Sequence, residues 1–136
     1  MNQRINDKIE EIEIFLQDLE EIKPTTLDEY IKDKKTKAAC ERYIEKIAEA
    51  SVDLAFLIIK YKNLKVPESD TEAFDILAKN NVISFELADK LQDFKGMRNI
   101  IAHQYGEIND DIIFEAIEQE LITDVIEFVN KVKFIS

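Results

Sequence analysis

The spacing of apolar residues predicts helices along nearly the whole chain. In the first segment, from about Asn6 to Ile22, apolar side chains recur at steps of three and four residues, which places them on one face of a helix. This stripe consists of Ile5, Ile9, Ile12, Phe15, Leu16, Leu19 and Ile22. Pro24 lies just beyond the stripe and is expected to close the helix, because proline lacks a backbone N–H.

A second helical region is predicted from Thr26 to about Asn63. Thr26 and Glu29 have the three-residue spacing of a capping box, in which a threonine hydroxyl caps the first turn. The stretch 32–37 is polar on every face, so a bend or break is expected there. From Ala38 to Tyr61 the helical pattern is strong.

A short helix is predicted after a loop. Ser69 and Glu72 form another capping box, and the helix they open is expected to reach about Lys79. Asn80 and Asn81 are expected to stop it, because asparagine is common where helices end.

Two further helices complete the predicted set. Ser84 caps the first of them, which runs through Gly96 and is expected to end at Gly106 in the left-handed position that glycine favours. An interior glycine costs about 1 kcal/mol relative to alanine, so a close contact is expected at Gly96, such as a neighbouring backbone. The last helix is capped by 109–111, and its inward face comprises Ile113, Ala116, Ile117, Leu121, Val125, Phe128, Val129 and Val132.

Composition agrees with this pattern. The 136 residues suggest one domain, residues 1–136. Two glycines and two prolines are very few for a sheet protein, whose tight turns need them. The predicted fold is therefore all-α: an antiparallel helical bundle of about four long helical regions plus a short helix.

The net charge of −11 argues against a large nucleic-acid footprint and against DNA as a partner, because phosphate neutralisation requires a basic surface. It leaves room for a small, locally basic site. Basic residues do cluster within one stretch, and a solvated helix face is the favoured interpretation of that cluster. Its members are Lys32, Lys34, Lys35, Lys37, Arg42 and Lys46.

The polar start of the chain and its short apolar runs indicate a cytoplasmic protein with no signal peptide and no membrane span. Cys40 is the only cysteine, so an internal disulfide is impossible. One histidine and one cysteine, far apart, make a poor metal site, so neither a metal nor another cofactor is expected.

The candidate site is the stretch from Arg98 to Tyr105, which contains the only histidine of the chain, His103. Histidine shuttles protons near neutral pH, and arginine offers a permanent charge and a planar fork for phosphate oxygens. Together they form a minimal set for metal-independent RNA cleavage, in which a base activates the 2′-hydroxyl and a cation stabilises the phosphate charge. Asn99 could orient the imidazole or donate to an oxyanion.

Helix geometry limits how these side chains combine. Arg98 and His103 are five residues apart and therefore roughly 140° apart on a regular helix, so they cannot both point straight at one ligand. Either the last turn unwinds toward Gly106, or a second copy of the chain completes the site across a two-fold axis. From residue types alone, a histidine that merely stabilises a helix C-terminus is the favoured interpretation.

The segment from Gly96 to Tyr105, Gly-Met-Arg-Asn-Ile-Ile-Ala-His-Gln-Tyr, resembles the Arg-x4-His-x-Tyr signature of HepT-like proteins in the HEPN superfamily. The likeness extends to Thr36–Ala39 and Arg42 in the second helical region, to the Ser84–Phe94 lead-in and to the helix after Ile108. It therefore covers nearly the whole chain.

The resemblance implies an all-α homodimer that acts as the toxin of a toxin–antitoxin pair, a metal-independent ribonuclease with its site at the dimer interface. It implies that Arg98 and His103 are catalytic, with Asn99 supporting them. The implied partner is a minimal nucleotidyltransferase antitoxin that transfers AMP to Tyr105. Two alternatives stay open: a non-catalytic binding subunit of such a partner, and a structural helical dimer whose Arg98 and His103 are held in intrachain contacts.

Overall fold

The computed structural model describes residues 2–103 and 110–135, without the side chains of Ile100, Ala102, His103 and Gln119. Every regular element in this part of the chain is helical. The elements are α1 (Gln3–Ile22), α2 (Leu27–Lys32), α3 (Lys34–Tyr61), α4 (Asp70–Lys79), α5 (Phe85–His103), α6 (Asp110–Glu115), a π-helical segment (Ala116–Glu120) and α7 (Leu121–Lys133). The π-helical segment is called the π segment from here on. The all-α prediction is confirmed.

Three of the predicted caps are present. The Thr26 hydroxyl accepts a hydrogen bond from the Glu29 N–H at 3.2 Å, and the Ser69 hydroxyl accepts one from the Glu72 N–H at 3.1 Å. The Ser84 hydroxyl likewise accepts from the Leu87 N–H at 3.0 Å. Each bond satisfies one of the backbone donors that a helix leaves unpaired at its start.

The expected interruption of the second helical region falls at Asp33. Asp33 ends α2 and caps α3, where its carboxylate accepts from the Thr36 N–H at 3.1 Å and from the Thr36 hydroxyl at 2.7 Å. Its backbone is extended there, with φ −93° and ψ 91°. A short polar side chain that bonds its own following turn competes with helix continuation, which explains the break.

Two asparagines end helices in the left-handed region. Asn63 has φ 56° and Asn81 has φ 62°. In each case the next N–H reaches back five residues, from Leu64 to the Ile59 carbonyl and from Val82 to the Leu77 carbonyl, both at 2.9 Å. These bonds satisfy carbonyls at the helix ends, as the sequence predicted for Asn81.

The helices form an antiparallel bundle around one apolar core. α1 lies along α3, with Lys8 beside Asp53 and Asp18 bonded to Tyr43, so the two helices run in opposite directions. α5 packs against α3, α4 and α7. The predicted inward face of the last helix is buried throughout. That helix is not uniform, however, because the π segment interrupts it.

The expected close contact at Gly96 is wrong for the part of the chain that the structure describes. An ideal Cβ built on Gly96 would meet no atom within 4 Å, so the chain itself leaves open space there. The predicted caps and ends at Gly106 and Asn109 lie outside the described residues.

Candidate active site

α5 carries the sequence motif. The helix stays regular through the backbone of His103, so the roughly 140° between Arg98 and His103 holds for an ideal helix of this length. The first of the two predicted arrangements, an unwound last turn, is therefore absent up to the backbone of His103. Tyr105, the side chain of His103 and any unwinding beyond it lie outside the described residues.

The Arg98 guanidinium is held by two neighbours. Its Nη2 donates to Oε1 of Glu49 on α3 at 2.6 Å, and its Nη1 donates to Oδ1 of Asn99 at 3.0 Å. Its Nε is buried and has no hydrogen-bond partner among the described residues. The Arg98 side chain is 27% exposed and that of Glu49 is 48% exposed, so the pair lies at the surface edge of the helix packing.

This arrangement resembles the way arginine binds an anion. A carboxylate oxygen and a phosphate oxygen make similar charge-assisted bonds with the guanidinium fork. The Glu49 carboxylate thus occupies a position that a substrate phosphate oxygen could take, and a phosphate would have to share or displace it.

Asn99 supports Arg98 in the structure. The guanidinium of Arg98 has only hydrogen-bond donors. The atom of the Asn99 amide that faces it must therefore be the oxygen Oδ1, which accepts. The amide oxygen is directed at Arg98, so the amide nitrogen is the group that could donate to an oxyanion. The expectation that Asn99 orients the His103 imidazole involves a side chain outside the described set.

A cleft of about 190 Å³ lies between α3 and α5 beside Arg98. Glu49, Asp53, Phe56, Asp70 and Lys95 line it together with Arg98. Sequence reasoning missed Glu49 and Lys95. Glu49 is 49 residues from Arg98 and belongs to no local motif, so only the packing of α3 on α5 shows the contact.

The basic cluster between Lys32 and Lys46 is largely used in contacts within the chain. Lys32 pairs with Asp28 at 2.9 Å and Arg42 with Glu45 at 3.2 Å. The Lys46 ammonium lies over the Phe15 ring, 5.6 Å from its centroid. Lys34 and Lys35 are exposed. These contacts support the solvated-face interpretation.

Lys37 connects α3 to the start of α6. Its Nζ lies 2.7 Å from Oδ1 of Asp110, in an ion pair whose direction is not that of a regular hydrogen bond. Beside it, Oε1 of Glu41 is buried without a hydrogen-bond partner among the described residues. Burial raises the pKa of the Glu41 carboxyl, the Lys37 charge lowers it, and the charges of Asp110 and Glu45 raise it.

The same junction buries Tyr30 completely, and its ring packs 5.6 Å from that of Phe114. Burial, reinforced by the nearby acidic residues, raises the pKa of the Tyr30 hydroxyl well above its usual range. The junction therefore holds α6 against α2 and α3.

No group of three or more His, Cys, Asp and Glu side chains among the described residues is arranged to hold a metal ion. Within the same residues, no helix is both long and apolar enough to cross a membrane. Cys40 is a free, fully buried thiol, and burial raises its pKa to about 11.

A family model described as ribonuclease HepT-like matches residues 5–132. The chain belongs to the HepT-like ribonuclease family. The match extends from α1 to α7 and so includes Arg98, Asn99, His103 and Tyr105. The resemblance inferred from the motif is confirmed at the level of the family.

Individual relatives agree with this assignment. The mRNA nuclease HepT of Shewanella oneidensis is 34% identical over 90 residues, which cover 66% of this chain and 67% of that protein. The tRNA nuclease HepT of Aphanizomenon flos-aquae is 27% identical over 113 residues, which cover 83% of this chain and 77% of that protein.

A solved structure shows the same fold. A tri-AMPylated HEPN toxin of Shewanella oneidensis, in complex with an MNT antitoxin, matches with a TM-score of 0.91 and 28% identity. The match covers 98% of this HepT-like chain and 98% of that one.

Proposed function

We propose that this HepT-like chain is a metal-independent endoribonuclease that acts as the toxin of a toxin–antitoxin pair. The observation that carries the proposal is the family match over residues 5–132, which includes the whole Arg-x4-His-x-Tyr segment. The names of relatives from two organisms, an mRNA nuclease and a tRNA nuclease, support RNA as the substrate class.

In the proposed mechanism, Arg98 binds the scissile phosphate and stabilises the charge that grows on it during cleavage. The imidazole of His103 takes the proton of the 2′-hydroxyl, whose oxygen then attacks the phosphorus. The bond from phosphorus to the 5′-oxygen of the next nucleotide breaks, which leaves a 2′,3′-cyclic phosphate, and the departing 5′-oxygen takes a proton from the imidazolium or from water. Asn99 keeps the Arg98 fork oriented through its 3.0 Å hydrogen bond. Glu49 leaves or shares the guanidinium when the phosphate arrives.

The active form in this proposal is a homodimer. α5 is regular through the His103 backbone, and positions 98 and 103 of an ideal helix are roughly 140° apart, so one helix is not expected to direct both side chains at one phosphate. Pairing two copies of α5 across a two-fold axis lets Arg98 of one copy and His103 of the other approach one phosphate.

The proposed antitoxin is a minimal nucleotidyltransferase that transfers AMP to Tyr105. The relative solved as a tri-AMPylated toxin with an MNT antitoxin supports this part. An adenylyl group beside Arg98 would place a phosphate in the substrate site and repel RNA, which explains neutralisation by charge and bulk.

The test is RNA cleavage by the purified chain in excess chelator. Wild type is expected to cleave, whereas Arg98→Ala and His103→Ala are expected to lose at least about a hundredfold in rate, as for the loss of one charge-stabilising or proton-transferring group. Arg42→Ala, which alters an exposed arginine paired with Glu45, is the matched control. An inactive wild type, or fully active variants, would contradict the proposal.

One observation favours a second candidate, a non-catalytic binding subunit. The guanidinium of Arg98 is already engaged by Glu49 and Asn99, which a purely structural role would also require. This candidate predicts a stable complex with a nucleotidyltransferase and no cleavage of RNA. Intact mass after incubation with the partner and ATP then tests Tyr105 separately, since Tyr105→Phe should abolish any added AMP at that position.

A further inference from the structure

Lys95 lies in the cleft beside Arg98, one helical turn before it on α5. Residues three apart on a helix share a face, with about 5–6 Å between their Cβ atoms. The two cations therefore stand side by side along the same wall of the cleft, which α3 closes from the opposite side.

Lys95 differs from every other partly buried lysine that the structure describes. Lys8, Lys23 and Lys37 each form an ion pair with a carboxylate, and Lys46 lies over aromatic rings. Lys95 is also partly buried, yet no described residue pairs with it. A lysine that lines a cleft without a carboxylate partner is free to pair with an anion that enters the cleft.

Three carboxylates line the cleft with Lys95 and Arg98, and two of them are paired with cations. Asp53 is paired with Lys8 at 3.6 Å, and Glu49 is paired with Arg98 at 2.6 Å. Asp70 is the remaining carboxylate of the lining, and it lies in the first turn of α4, where the positive helix end offsets its charge. The three carboxylates would repel a long tract of RNA, in keeping with a net charge of −11, so the cleft is suited to a short contact at Lys95 and Arg98.

We infer that Lys95 binds the phosphate next to the scissile one, so that successive phosphates of one RNA strand lie on Lys95 and Arg98. This subsite rests on the proposed ribonuclease function. Lys95 binds the strand and takes no part in proton transfer, so it determines the affinity for RNA rather than the rate at which bound RNA is cleaved.

The experiment measures binding of a 2′-O-methyl RNA oligonucleotide, which cannot be cleaved through its 2′-oxygen, by fluorescence anisotropy at several salt concentrations. For single strands each phosphate contact contributes about 0.7 to the slope of log affinity against log salt. Lys95→Gln is therefore expected to reduce that slope by about 0.7 and to weaken binding about fivefold at roughly 0.1 M salt. Lys131→Gln, an exposed lysine on α7, is the matched control and should bind like wild type.

Lys95→Arg keeps the charge and should retain wild-type slope and affinity, which separates loss of a phosphate contact from a general disturbance of α5. On cleavable RNA, Lys95→Gln should raise KM while kcat stays within about twofold of wild type. The reason is that the Lys95 contact stabilises the bound RNA and the transition state equally. A Lys95→Gln variant with unchanged slope and affinity would overturn the subsite.

The outcomes also separate the subsite from the ribonuclease proposal. If Arg98→Ala abolishes cleavage while Lys95→Gln binds normally, the subsite is wrong and the ribonuclease stands. If RNA binds with a Lys95-dependent slope but is never cleaved, the subsite stands and the ribonuclease fails. Absence of any RNA binding by wild type overturns both.

Discussion

The carboxylate of Glu49 and the guanidinium of Arg98 lie 2.6 Å apart although they are 49 residues apart in the chain. Glu49 is the only described carboxylate within ion-pair distance of Arg98. In the proposed ribonuclease, the same contact orients the guanidinium before RNA arrives and competes with the phosphate afterwards.

Replacing Glu49 by Gln should strengthen RNA binding. The amide keeps the shape of the side chain and an oxygen acceptor for Arg98 but removes the negative charge that competes with phosphate. Because the pair is partly exposed, its contribution is at most about 1 kcal/mol, so we expect KM for RNA to fall about twofold to fivefold. Steady-state cleavage kinetics measure this.

Glu45→Gln is the control, because Glu45 lies on the same helix and is paired with Arg42, and it should leave KM unchanged. A KM for Glu49→Gln at or above the wild-type value would rule out competition between Glu49 and the phosphate.

Gly96→Ala should stabilise the isolated subunit. Alanine lowers the conformational entropy of the unfolded chain and favours helix by about 0.5–1 kcal/mol, and its Cβ meets only open space in this chain. Urea denaturation at low protein concentration should show a higher midpoint with an unchanged m value. A lower midpoint that recovers with rising protein concentration would instead place another molecule against Gly96.

The partly buried carboxyl of Glu41 is expected to make the stability of the folded chain depend on pH. Its pKa is raised in the folded chain, first by burial and then by Asp110 and Glu45 against the opposing effect of Lys37. The folded state therefore holds this proton more tightly than the unfolded state. The proton on Glu41 therefore stabilises the folded chain at acidic pH, and this contribution is lost as the pH rises through the folded-state pKa of Glu41.

Glu41→Gln should consequently be more stable than wild type near neutral pH, because the amide carries no charge at any pH and so avoids the cost of burying a carboxylate. The difference should shrink as the pH falls and wild-type Glu41 becomes neutral. Thermal melts from acidic to neutral pH test this, with exposed Glu10→Gln as the control. A gap that widens toward acidic pH would contradict the assignment.

Ser69→Ala should destabilise the chain by about 1 kcal/mol, the usual effect of removing an N-cap hydroxyl. Ser69 bonds the Glu72 N–H, and the Glu72 carboxylate bonds the Glu68 N–H at 3.2 Å in return, so both ends of the cap support α4. Thermal unfolding of Ser69→Ala beside Thr71→Ala, which alters the same turn without removing the cap, provides the comparison. Equal melting temperatures would show that the cap adds nothing.

The local parts of the fold could be predicted from the sequence because they depend on local chemistry. Thr26, Ser69 and Ser84 cap helices through residues three positions later, and that spacing is visible in the chain. The polar stretch around Asp33 predicted a break for the same reason.

Features that depend on packing could not be predicted. Glu49 belongs to a helix face with no motif, and its role follows only from the approach of α3 to α5. The open space at Gly96 contradicted a general rule about interior glycines, since the cost of a glycine does not tell what lies beside it. For the candidate site, the sequence pattern pointed to residues of α5, whereas the ion-pair partner of Arg98, Glu49, lies on α3.

The π segment, Ala116–Glu120, makes the last helix two pieces with different rotational phase. A π turn adds one residue relative to an α-helix, and one residue corresponds to about 100° of rotation. Removing a single residue from this segment would join α6 and α7 into a uniform rod, yet it would turn Asp110 away from Lys37 and Phe114 away from Tyr30. A shorter, more regular helix would thus lose the contacts that α6 makes with α2 and α3, so the irregular turn lets one continuous helical stretch pack its first half on α2 and its second half on α5.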